Sequence, residues 1–355
     1  MLKKAAACLL VCGGMAFWMS CSSSTSNRYL YAAIPGSNEI VAYRQDPNAG
    51  VLTQLVGSPI TAGQSVQGLV IHPSNKYLYA TNAGNNNVSL FDIAPSGALN
   101  EHTPRANAGT GPTVLAVDPA GQFLYVGNPG SFDLTVFSIS STDGTLTQVG
   151  QNVPLGVSPL NMRVSPNGNF LYVTAGGNPG TVEVFSANKG TLTQLGSSPY
   201  ATGNDPSGLV ISPDGGFLYT ANKLDSTISE FTINSDGSLT PIPGSPIGVA
   251  ATGPVALLIE NSGKFLYVAN DQSPGLILVF SIGQNGALNL LANSQMSTGA
   301  QPSFLATDAN GRFLFVGSQS TAQIQSLSIN TSTGILTSVA TYSVPSTPTS
   351  IVTTP

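Results

Sequence analysis

A four-residue pattern recurs seven times along this chain at a nearly fixed interval: an aromatic, a leucine, a second aromatic, then a small or β-branched residue. The central leucines are Leu30, Leu78, Leu124, Leu171, Leu218, Leu266 and Leu314, so successive copies lie 46 to 48 residues apart. Self-similarity at such a period marks a solenoid, propeller or array, whose units bury their apolar faces against one another. Each period holds four short apolar runs bounded by Gly, Pro, Asn or Ser, about 12 residues per strand and turn, as antiparallel hairpins require. One period reads Ala256-Leu257-Leu258-Ile259, Phe265-Leu266-Tyr267-Val268, Ile277-Leu278-Val279-Phe280, then Leu288 after Gly286. Its second run is apolar on both faces, as expected for a blade sandwiched between two others. The pattern predicts an all-β, seven-bladed β-propeller with four antiparallel strands per blade, since blades around an axis leave only short edges.

The two ends predict how the ring closes. Innermost-strand runs occur at Leu69, Leu115, Met162, Leu209, Leu257, Leu305 and Ile351, and the seventh has no second strand after it. Pro355 takes the turn position of Pro73, Pro119, Pro166 and Pro213, while Tyr29-Leu30-Tyr31 has no first strand before it. Residues 350–353 are therefore expected to pair with residues 29–32 in one composite blade, and removing the last eight residues to cost far more than a frayed tail would.

The repeat also accounts for the aromatics. Of 14 Phe and 11 Tyr, all but Phe17, Phe132, Phe304, Tyr200 and Tyr342 fall at the second-strand positions or at the third-strand end, and are read as core. Trp18 is the sole tryptophan, which excludes propellers built on a Trp-Asp dipeptide and leaves few platforms for stacking sugar rings.

Residues 1–20 differ in character: Lys3 and Lys4, an apolar stretch from Ala5 to Trp18, then Met19-Ser20-Cys21 and a Ser/Thr run. This reads as a signal peptide followed by a linker, residues 21–27, and the propeller, residues 28–355. Cysteine at that place resembles a bacterial lipobox, which implies lipidation of Cys21 and a cell-envelope lipoprotein, with Trp18 where leucine is usual; ordinary secretion is the alternative. Cys8 and Cys12 lie in the leader, so no disulfide staples the body.

Charged residues make up 8% of the chain, against about 25% in ordinary soluble proteins. Loss of Lys3 and Lys4 with the leader takes the net charge from −5 to −7. Nucleic acid, whose phosphates call for clustered Lys and Arg, is not an expected partner. Two histidines and no body cysteine argue against a transition-metal site, and no cofactor is expected. The Asp133, Asp225 and Asp271 loops and Asn85-Asn86-Asn87 could ligate calcium, but such residues populate tight turns without any ion. Gly-rich stretches such as Gly109-Thr110-Gly111-Pro112 are repeat turns rather than phosphate loops, because no Lys-Ser/Thr follows.

Stretches such as Ser212-Pro213-Asp214-Gly215-Gly216-Phe217-Leu218-Tyr219-Thr220-Ala221-Asn222 resemble the Tyr-Val-Thr-Asn repeat of seven-bladed lactonase-family propellers, which include 6-phosphogluconolactonases and carboxymuconate cyclases. The resemblance spans residues 28–355. It implies a lactone-acting site in which basic residues hold an anionic substrate while His or Glu moves a proton. Catalytic members carry Gly-Pro-Arg-His before a first strand and Asn-Glu-Leu after the next strand. Here those places read Gly253-Pro254-Val255-Ala256 with Asn270-Asp271, and Asp205-Pro206-Ser207-Gly208 with Asn222-Lys223-Leu224. Arg and His are missing from both.

Arg163 interrupts a position held by Val70, Ala116, Val210, Leu258, Ala306 and Val352, placing a charge near the axis. It is either an anion or carbonyl contact in the central channel or a structural pair, since buried charges need partners. Arg163 and Asp271 are the catalytic candidates, and Asn82, Asn222, Lys223, Asn270 and Asp205 are ligand-binding candidates at the loop face. His72 reads as a turn cap, and His102, beside Glu101, as an exposed outer residue. Two functions remain open. One is an exported, monomeric binding scaffold for a small polar ligand, glycan or protein, touching membrane only through its lipid. The other is a lactone hydrolase with a rearranged site, Arg163 holding substrate and Asp271 or Asp205 activating water.

Overall fold

A computed structural model describes residues 28–299 and 301–354. The leader, the linker with Cys21, and Pro355 lie outside the described residues. Every regular element among the described residues is a strand, and the strands form seven separate antiparallel sheets, the blades of a propeller. Blades two to seven open with innermost strands Val66–Ile71, Val114–Val117, Pro159–Val164, Pro206–Ile211, Pro254–Ile259 and Pro302–Thr307. Their second strands, Tyr77–Asn82, Phe123–Asn128, Phe170–Ala175, Phe217–Asn222, Phe265–Asn270 and Phe313–Ser318, carry the repeated leucines, all fully buried.

Blade one is composite. Ser350–Thr353 forms its innermost strand against Arg28–Ile34, pairing Leu30 with Thr353, Tyr31 with Val352, Ala32 with Ile351 and Ala33 with Ser350. The seam is the expected one, displaced by one residue on the N-terminal side. Thr354 completes it: its hydroxyl accepts from the Tyr29 amide and its own amide donates to the Tyr29 carbonyl. That copies the cap at the same turn elsewhere, where Asp118, Glu260 and Asp308 carboxylates and the Ser165 and Ser212 hydroxyls accept the amide that opens the next strand. A short polar side chain supplies the acceptor that a reversing backbone leaves missing.

The four-strand plan is literal only in blades two and seven, where the outer strands Leu99–Asn107 and Leu336–Ser343 run unbroken. In the other five the outer strand is split in two pieces that pair with the same third strand, as Leu239–Pro241 and Ile247–Gly248 do on Thr227–Ile233. The intervening loop leaves a third-strand amide without its ladder partner. In three blades a serine hydroxyl accepts it instead: Ser58 from Ala42, Ser198 from Val184 and Ser245 from Glu230.

Adjacent blades are locked by the second aromatic of the repeat. The buried hydroxyls of Tyr31, Tyr79, Tyr172, Tyr219 and Tyr267 donate to the carbonyls of Gly97, Gly144, Gly237, Gly286 and Gly334 in the next blade, at 2.6 to 3.1 Å. Burial pushes these phenols up, so they remain donors. Each receiving glycine has a positive φ and lies under the first aromatic of the donor strand. A Cβ at Gly97 would come within 2.4 Å of the Tyr29 ring. Blade seven has Phe315 in place of the tyrosine, and the Ser326 hydroxyl donates to Gly50 instead, at 2.7 Å.

Candidate functional site

Innermost strands pair on one side only, so their other edges face the propeller axis. Five of them, in blades two, four, five, six and seven, bulge near their loop-face ends. A bulge re-aims the side chains beside it. The edges of all seven blades enclose a channel of about 480 Å³. Half of its lining residues are leucine and valine, interrupted by hydroxyls such as those of Thr113, Ser207, Ser303 and Ser350. Arg163 is the one ionisable side chain on that wall.

Arg163 lies opposite Tyr172 on the innermost strand of blade four, in the ring otherwise filled by Val70, Ala116, Val210, Leu258, Ala306 and Val352. Its side chain is exposed, but the exposed surface belongs to the channel, so protein still surrounds the guanidinium. This enclosure pushes its pKa down, with no carboxylate opposing the shift. One nitrogen, Nη1, donates to Asn161 Oδ1 at 3.1 Å and to the Met162 carbonyl at 2.9 Å. Asn161 in turn donates to the Ser207 carbonyl of blade five at 3.1 Å. The Ser207 hydroxyl is buried without a partner. The result is a polar strip, Arg163, Asn161 and Ser207, running from blade four to blade five along the channel wall. Sequence reasoning missed Asn161 and Ser207. The available signal was Asn161 at a position that other blades fill with Gly68, Val114, Gly208, Ala256, Phe304 and Ser350.

Three other candidates meet at the loop-face rim between blades five and six. Lys223 Nζ pairs with Asp271 Oδ2 at 2.7 Å, and the Lys223 amide donates to the Asp205 carbonyl at 3.0 Å. Asp205 is left-handed, with φ of 53°. The other Asp271 oxygen is buried and unpartnered. None of the three lines the channel. Arg163 sits four residues along its strand from Pro159 at the loop-face end, three steps of the ladder once the bulge is allowed for, roughly 10 Å at 3.3 Å per step. The rim and Arg163 are therefore separate places.

Asn82, Asn222 and Asn270, expected as loop-face contacts, are fully buried and bonded inward. Asn82 Nδ2 donates to Ser89 and Asn87, and Asn222 Nδ2 to Ser229 and Thr227, tying second to third strand. Blade six offers Leu278 where those blades have serine, and Asn270 Nδ2 turns to the Val268 and Leu276 carbonyls. His72 bonds Ser74 within its turn and the Gly121 carbonyl of blade three through Nε2 at 2.8 Å. His102 is half-buried, with Nε2 2.6 Å from Asp92 Oδ2. Among the described residues, no three His, Cys, Asp or Glu side chains converge as a metal site.

The chain is similar to known proteins over nearly its whole length. The family model described as "Lactonase, 7-bladed beta-propeller" matches residues 24–159 and 161–353. No curated protein sequence matches. Among solved structures, a protein of Bacteroides fragilis provisionally assigned as a 6-phosphogluconolactonase is 21% identical, with a TM-score of 0.82 over 94% of this chain and 99% of that one. The periplasmic gluconolactonase of Pseudomonas aeruginosa is 20% identical, with a TM-score of 0.80 over 93% and 99%. At such identities the likeness shows the fold.

Proposed function

The chain belongs to the seven-bladed β-propeller lactonase family, and from that membership we propose that it is a binding module holding a small polar ligand in its central channel, with the family's lactone chemistry lost. One observation carries this reading: the channel wall has a cation but no carboxylate or imidazole. Hydrolysis needs a base within reach of the attacking water, about 3 Å directly or one water removed. The rim acid Asp271 is held by Lys223 and does not line the channel. The apolar leader with Lys3 and Lys4 supports export, and Cys21 supports a lipid tether.

Lactone hydrolysis at the rim is the competing reading, favoured by the unpartnered Asp271 oxygen beside a cation. Turnover of sugar lactones by the full-length protein, corrected for spontaneous opening, separates the two. Background rates from folded protein that nevertheless binds ligand are expected. Turnover abolished by Asp271→Asn would replace the binding reading with the hydrolytic one.

A further inference from the structure

We propose that the protein stands on an anionic phospholipid surface by one basic half of its turn face, the face opposite the loops; this rests on the lipid-tether reading of Cys21 above.

The position just before the first aromatic of each repeat closes the turn from innermost to second strand. In blades six, seven, one and two, which follow one another around the ring, it holds Lys264, Arg312, Arg28 and Lys76. In blades three, four and five it holds Gln122, Asn169 and Gly216. Arg44, exposed and opposite Tyr29, adds a further cation in blade one. The capping acids of the basic half, Glu260 and Asp308, are buried and accept backbone amides, and Asp308 also meets Arg28 at 3.2 Å. Among the described residues, the acids showing surface at this end of the four blades are Asp46 and Asp92, and His102 holds Asp92. The remaining three blades reverse the balance, with exposed Asp143, Asp214 and Asp236 on the same face against Lys189. The turn face is thus divided into a basic arc and an acidic one.

The chain enters the described fold at Arg28, inside the basic arc. Cys21 lies seven residues earlier, a reach of at most about 25 Å. A compact body of this length is about 50 Å across. A lipid on Cys21 therefore holds the turn face, not the loop face, toward the bilayer. Cations attract anionic headgroups within a Debye length, about 8 Å. The tether makes that attraction intramolecular, so a few cations in one arc suffice to choose an orientation. Repulsion of the acidic arc tilts the body onto blades seven and one. The loops, with the Lys223–Asp271 pair, then point away from the membrane.

Amine footprinting tests this, because the described chain carries lysines in all three places: Lys76 and Lys264 on the basic arc, Lys189 on the acidic one and Lys223 at the loops. Full-length protein expressed for export is purified from membranes and reconstituted in vesicles of phosphatidylglycerol or of phosphatidylcholine. A water-soluble acylating reagent then labels its amines, and mass spectrometry reads each lysine. Labelling of Lys76 and Lys264 is expected to fall roughly 5-fold on phosphatidylglycerol alone, the worth of one cation at such a surface, and to recover in about 0.5 M salt. Lys189 and Lys223 should label equally on both lipids. Lys264→Glu, at an exposed turn position, should restore labelling of Lys76 on phosphatidylglycerol without lowering Tm, an effect a tether by itself does not produce. Equal labelling on the two lipids, even protection of all four lysines, protection centred on Lys223, or Lys76 unmoved by Lys264→Glu would each overturn the proposal. Soluble protein with an unmodified Cys21 thiol would sink the tether reading and this proposal with it. Membrane-held protein with an even footprint would sink the proposal and leave the tether.

Discussion

The Tyr29 amide donates to the Thr354 hydroxyl at 2.9 Å across 325 residues of sequence, and this bond is the last link of the ring. It joins the two ends of the described chain inside one blade, next to a four-residue ladder in which Ile351 is buried. Ile351→Ala is expected to cost about 2–4 kcal/mol, as other large-to-small core changes do. Deleting the last eight residues should cost more. Thermal melts of both variants check this, and an unchanged Tm for the deletion would show that the seam contributes nothing.

The tyrosine locks make a second test. Tyr219→Phe removes the donor to the Gly286 carbonyl in a buried site, and should lose about 1–3 kcal/mol by leaving that acceptor unmet. Phe315→Tyr should bring no gain, because Ser326 already donates to the Gly50 carbonyl. Urea denaturation of the two variants gives the comparison.

Gly286 has a φ of 81°, and a Cβ there would lie 2.3 Å from the Phe217 ring. Gly286→Ala therefore combines backbone strain with a clash against a rigid aromatic. A loss of about 2 kcal/mol or more is expected, larger than Gly→Ala at Gly196, where a Cβ would meet nothing within 4 Å. Paired melts of the two alanine variants read the difference.

Glu230 is 1% exposed, and burial pushes its carboxyl up from 4.5, partly offset by the Leu288 amide donating to it. The folded state then binds the proton more tightly than the unfolded chain. Stability from this group is present below the unfolded value and is lost as pH rises through the folded one. Glu230→Gln should accordingly raise Tm at pH 7 and make little difference at pH 4. Melts at the two pH values decide, and a variant less stable at pH 7 would refute the assignment.

How far the sequence could be read depends on which contacts the repeat itself dictates. The leucines and aromatics at fixed spacing gave the blades, because each sits at the same place in a unit that must stack on its copies. Pro355 at the turn position of Pro119 and Pro213, with no first strand before Tyr29, likewise made the seam readable. Asn82 was not readable in the same way, since a residue ending a strand can face the loop or fold back onto Ser89, and only the register decides. Lys223 and Asp271 belong to different blades, 48 residues apart, so their ion pair depends on the course of two loops. The channel position of Arg163 was predictable from its place in the repeat, on an innermost strand, whereas the bond linking Asn161 to blade five was not.

The composite blade also ties folding to the order of synthesis. Ribosomes deliver the second strand of blade one before its innermost strand, so the inner edge of Ala32 and its neighbours, paired on the other side with Glu39–Gln45, waits without a partner while six other blades are made. Pairing over such a separation is slow and leaves an open sheet edge for the whole interval. Docking of residues 350–353 thus becomes the event that converts an open, adhesive arc into a closed ring.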